Sequence, residues 1–109
     1  MPKRNAEVLI EDIVSALDKI ERYIREMNRE TFLDDEKTVD AVVRNLEIIG
    51  EATRQLPSSF KQDRPHIPWV EMAGLRNRIV HDYAGIDIEL IWEICKNNLP
   101  LLKKDLVNL

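Results

Sequence analysis

The chain has 109 residues, with 16 Lys and Arg against 20 Asp and Glu and a formal net charge of −4, a balance that argues against a protein coating nucleic acid non-specifically. Its one cysteine, Cys95, excludes an internal disulfide; set among apolar residues, it reads as core filler in a protein of the reducing cytoplasm. Residues 1–5 lead into an amphipathic pattern, and no run is long enough to span a bilayer, so neither export nor membrane insertion is expected.

A third of the residues are charged, only three are glycine, and the apolar positions recur at helical spacing. This predicts one all-α domain over residues 1–109, an antiparallel four-helix bundle with a short extra helix or turn. A first helix is expected over residues 6–27, capped by Asn5, with Leu9, Ile13, Ala16, Leu17, Ile20, Ile24 and Met27 as its apolar stripe. Ile10, Val14 and Tyr23 widen that stripe enough to face two neighbours. Residues 28–35 read as a connection in which Asp34 or Asp35 caps the next helix. That second helix runs to about Leu56 on Val39, Val42, Val43, Leu46, Ile49, Ala52 and Thr53. Gly50 interrupts it at a cost of about 1 kcal/mol against alanine, which suits a close helix–helix contact.

Residues 57–68 hold three prolines and predict an ordered loop with at most one helical turn near residues 59–62. His66, between two of those prolines, reads as a surface residue. A third helix starts at Pro68 and runs toward a glycine stop at Gly85, after which Asp87 caps a fourth. Ile86 and Ile91 are placed for a hydrophobic staple across that cap. Pro100 is expected to kink the fourth helix or end it early.

Chemistry-bearing side chains concentrate in Arg76-Asn77-Arg78-Ile79-Val80-His81-Asp82-Tyr83. Residues 54–81, which contain most of this stretch, carry five basic residues against two acidic, a local charge of +3 against −7 for the remainder. Such a site suits one phosphate or a short strand. On the last two turns of a helix, Asn77 and His81 share a face, as do Arg78 and Asp82. Arg76 and His81 lie about 140° apart around an ideal helix. Their meeting therefore requires a long reach by Arg76, a loosened helix near His81, or a second copy of the chain.

His66 and His81 have no ligand pair at a metal spacing, there is no glycine-rich phosphate loop, and Cys95 has no histidine nearby in sequence. Histidine moves protons near neutral pH, and arginine offers a permanent forked charge to a phosphate. Together they could cleave RNA without metal: the 2′-hydroxyl would attack the adjacent phosphorus, His81 would move protons and Arg76 would steady the phosphoryl oxygens. Asn77 would orient the imidazole or bind the phosphate. A histidine near a helix C-terminus that merely favours the dipole is the plainer reading of the same residues.

The run from Arg76 to Tyr83 resembles the Arg-x4-His-x-Tyr signature of the HepT-like toxins of the HEPN superfamily. The similarity extends to residues 45–52 of the second helix, to Ile67-Pro68-Trp69 and Gly74-Leu75 before the motif, and to Gly85-Ile86-Asp87 and Ile91-Trp92-Glu93-Ile94 after it. Nearly all of residues 7–104 is covered. The resemblance implies a HEPN-like bundle that forms a homodimer, with Arg76 and His81 lining a cleft between protomers. It implies a metal-independent endoribonuclease, without cofactor, acting on RNA as the toxin of a type VII toxin–antitoxin pair. Its partner would be an MNT-type nucleotidyltransferase antitoxin that silences it by transferring AMP to Tyr83. A charged nucleotide two residues from His81 would block the phosphate by bulk and by repulsion. Glu51 matches the family and is expected to support the cleft or its packing. Two other readings stand beside this one: a non-catalytic helical subunit that binds a nucleotidyltransferase, and a purely structural helical dimer.

Overall fold

A computed structural model describes residues 5–81 and 85–109, except for the His81 side chain. The fold is an all-α bundle, as the periodicity predicts, with one two-residue ladder. Helix α1 spans Ala6–Ile24 and is capped by Asn5, whose side chain accepts from the Val8 amide at 2.9 Å. Its stripe of Leu9, Ile13, Ala16, Leu17, Ile20 and Ile24 is buried. The helix stops short of Met27, and Tyr23 is exposed.

The connection expected at residues 28–35 is instead a short helix, α2, over Arg29–Leu33. Asn28 and Thr31 form a reciprocal cap: each side-chain oxygen accepts from the other's amide, at 2.9 and 3.0 Å. Two orphan helix donors are satisfied that way. The cap turns Phe32 inward, where it is fully buried with its ring 5.2 Å from that of Trp92.

Helix α3, Glu36–Gln55, lies at the centre of the bundle and contacts α1 and α2. Of the two candidate caps it is Asp35 that serves, accepting from the Thr38 amide and hydroxyl. Those bonds favour its ionised form and hold its carboxyl below the usual range. Every apolar position of the predicted stripe is buried, Leu56 included. A short helix α4, Ser58–Gln62, fills the loop where a single turn was foreseen. Trp69 anchors that loop by donating from Nε1 to the Arg64 and Lys61 carbonyls at 3.0 and 3.2 Å.

The third helix departs most from expectation. It is two five-residue pieces, α5 at Trp69–Ala73 and α6 at Leu75–Ile79, separated at Gly74. Val80 is already extended, with φ −105° and ψ 121°. Strand β1, Val80–His81, then pairs antiparallel with β2, Gly85–Ile86, in the register Val80 to Ile86 and His81 to Gly85. The four-residue spacing of Asn77 and His81 therefore does not place that pair on a helix face; Asp82, the expected partner of Arg78, lies outside the described residues. The helix gives way before His81, with Val80 already extended.

Both α5 and α6 pack on α3. Gly50 makes the close contact the sequence suggested: a Cβ there would stand 3.4 Å from the Met72 and Ala73 carbonyl oxygens.

Helix α7, Ile88–Glu93, is capped by Asp87, which accepts from the Leu90 amide at 3.0 Å. Ile91 is buried, while Ile86, the other half of the expected staple, is exposed. The chain widens into a π-turn at Ile94–Asn98 and continues as α8, Leu99–Val107. Pro100 thus does not end the helical path. A proline removes an amide and crowds the carbonyl four residues back; the wider turn, in which the Leu99 amide reaches the Ile94 carbonyl, sets Pro100 in the first turn of α8. Cys95 lies buried in the π-turn, and burial pushes its thiol up from 9.0 to about 12. Lys103 ties α8 to α1 through Asp18 at 2.7 Å and Glu21 at 2.9 Å. Among the described residues, no helix is long and apolar enough to cross a membrane.

Candidate functional site

Four residues on the polar face of α3 are spaced three or four apart: Arg44, Glu47, Glu51 and Arg54. That spacing stacks them into one stripe along the helix. Opposite the stripe, α6 presents Arg76 and α1 presents Asp12. These six side chains line a cleft of about 340 Å3, whose apolar floor includes the buried Leu9 and Ala52. The structure therefore brings Arg76 and Glu51 into one cleft, although 25 positions separate them.

Within the cleft, Arg54 Nη1 pairs with Glu51 Oε2 at 3.0 Å. Arg44 and Arg76 make no ion pair or hydrogen bond among the described residues. A guanidinium in that condition keeps its fork of donors for a bound anion. Arg78, two residues on, lines a different, mostly apolar hollow with Met72 and Leu102. Asn77 is exposed and lies outside the cleft lining.

His81 sits on β1, on the excursion that leaves α6 and returns to α7. Both feet of that excursion are pinned. The Asp87 amide donates to the carbonyl of the fully buried Ile79 at 2.8 Å, and the Asp87 side chain caps α7. At the cross-strand position from His81, Gly85 adopts φ +80°, a conformation that carries no Cβ penalty only for glycine. Tyr83, the expected modification site, lies outside the described residues, with Asp82 and Ala84.

Asp12, on α1, and Arg44, Glu47 and Arg54, on α3, are the polar cleft residues outside the predicted site; the three on α3 carried a signal. Their signal was the polar stripe of α3, legible at the same three-and-four spacing as its apolar one. His66 lies on the loop before α5, away from this cleft. Among the described residues no three His, Cys, Asp or Glu side chains come together to hold a metal ion.

The family model for ribonuclease HepT-like proteins matches residues 13–109. A Thermococcus cleftensis protein named "Probable ribonuclease HepT" is 46% identical over 101 residues, covering 93% of this chain and 92% of that one. A "Putative RNase" of Methanocaldococcus jannaschii is 38% identical over 105 residues, covering 96% and 90%. Another "Putative RNase", from Caldanaerobacter subterraneus subsp. tengcongensis, is 35% identical over 95 residues, covering 87% and 85%. No solved structure gives a significant match. With an all-α bundle, an open arginine facing a carboxylate across a cleft and a family match over most of its length, this chain belongs to the ribonuclease HepT-like family.

Proposed function

We propose that this protein is a metal-independent endoribonuclease and the toxin of a type VII toxin–antitoxin pair, with residues 1–109 as one catalytic domain. The observation that carries the reading is Arg76, open to the cleft and unpaired among the described residues beside the equally open Arg44. Arg76 binds the scissile phosphate and stabilises the charge that builds on its oxygens. His81 takes the proton from the 2′-hydroxyl as the O2′–P bond forms, and a proton passes to the 5′-oxygen as the P–O5′ bond breaks. The products are a 2′,3′-cyclic phosphate and a free 5′-hydroxyl. DNA, lacking the attacking group, is not cut. Asn77 and Glu51 support the pair, Asn77 from outside the cleft lining and Glu51 from within it. Two chains form a homodimer in the cytoplasm whose shared cleft holds both motifs. An MNT-type nucleotidyltransferase silences the toxin by placing AMP on Tyr83.

The test is RNA cleavage in EDTA together with intact mass on one sample, expressed with and without the nucleotidyltransferase gene. Cleavage is expected from unmodified dimer, with cyclic phosphate ends, absent from His81→Ala and absent once Tyr83 carries AMP. Unmodified dimer that cuts none of a varied set of RNAs would sink the reading in favour of a non-catalytic binding subunit.

A further inference from the structure

An uninterrupted helix bonds the Asn77 amide to the Ala73 carbonyl, four residues back. Among the described residues that bond is missing. The backbone bonds at the break run from the Gly74 amide to the Val70 carbonyl at 3.0 Å and from the Arg78 amide to the Gly74 carbonyl at 3.1 Å. The Ala73 carbonyl accepts instead from Arg54 Nη2 at 2.7 Å, across 19 positions of sequence. The other arm of that guanidinium holds Glu51 at 3.0 Å. Gly50, one turn before Arg54, lets the α5 carbonyls come this close to α3. A charged donor on an otherwise orphaned helix-end carbonyl is a strong bond for its kind.

We propose that Arg54 is a positioning residue for Arg76. By occupying the Ala73 carbonyl it keeps α5 and α6 apart, sets where α6 begins and so fixes the point from which Arg76 enters the cleft. Only Gly74 and the buried Leu75 stand between Ala73 and Arg76, so the constraint reaches Arg76 through two residues. Without Arg54, the Ala73 carbonyl regains the Asn77 amide. The two pieces then draw together toward the single helix that the sequence periodicity expects, which also needs the Leu75 amide on the Glu71 carbonyl and the Arg76 amide on the Met72 carbonyl, and Arg76 moves with them. This inference rests on the ribonuclease reading for its effect on rate, but not for its effect on the helix.

The experiment compares wild type, Arg54→Gln and Arg54→Lys by amide hydrogen exchange and by steady-state cleavage of RNA. In wild type the Asn77 amide exchanges freely; in Arg54→Gln it becomes protected by about tenfold or more. Over the same change kcat falls by about tenfold or more with KM within about twofold, and Arg54→Lys recovers most of the loss. An Asn77 amide that stays unprotected in Arg54→Gln overturns the proposal, as does a rise in KM at unchanged kcat, which would make Arg54 a direct phosphate contact. An active wild type with an equally active Arg54→Gln overturns it alone. A wild type that cuts no RNA overturns the ribonuclease reading, and the role in rate falls with it.

Discussion

Replacing Arg76 by alanine is expected to lower kcat for RNA cleavage by about 10²- to 10³-fold, some 2.7–4 kcal/mol of transition-state stabilisation. The fold should not notice. Arg76 is exposed and makes no bond among the described residues, so its removal orphans no buried partner. An exposed substitution of that kind changes stability by about 0.5 kcal/mol or less. Activity is therefore lost at an unchanged melting temperature, the pattern that separates a chemical role from a structural one. Arg76→Lys keeps the charge but not the fork, and should recover only part of the rate. The double change with His81→Ala should cost little more than the worse single one, because groups acting on one transition state are not additive. A rise in KM at constant kcat would instead make Arg76 a ground-state anchor, and wild-type rates in Arg76→Ala would end its candidacy.

The second large effect is on stability. Phe32→Ala should cost about 3–5 kcal/mol, the usual range for deleting a fully buried phenyl ring. Phe32 has no exposed surface, its ring leans on Trp92 at 36°, and α2 reaches both α3 and α7. Against a total of about 5–15 kcal/mol for a typical domain, that loss is a large share. The melting temperature should fall by more than about 10 °C. Phe32→Leu, which refills much of the volume, should fall less. The measurement is denaturant unfolding of both variants. A loss below about 1 kcal/mol in Phe32→Ala would mean that α2 is a lid on the core and not part of it.

What the sequence disclosed, and what it hid, follows from the range of the forces involved. The stripes of α1 and α3 were legible because burial recurs every three or four residues, and the caps Asn5, Asp35 and Asp87 because each acts within three positions. The helix α2 was overlooked because five residues are too few to show a period, although Asn28 and Thr31 carried its signal. The break at Gly74 was not legible at all: the bond that supports it comes from Arg54, 19 positions away, and local spacing predicts the continuous helix. The π-turn before Pro100 is likewise a response of the ladder to a proline, seen only once the chain is built. At the site, Arg76 and Glu51 came from the motif and the resemblance. Arg44 and Arg54 lay on the polar stripe of α3, whose spacing is legible but is the same for a solvated helix face as for a cleft wall.

The buried thiol of the π-turn gives the chain a chemical clock. Only the thiolate reacts quickly with alkylating reagents, and Cys95 is both enclosed and held neutral, with its pKa raised to about 12. At neutral pH a maleimide should therefore label the protein only through openings of that turn, at a rate that follows their population. The same burial sets a direction in alkali. Above pH 9.0 the unfolded thiol ionises while the folded one keeps its proton up to about 12, so the native state binds more protons and stability falls as the pH rises through that window. Labelling of this single sulfur would time the breathing of the C-terminal helical rod on the wild-type chain, with no probe engineered in.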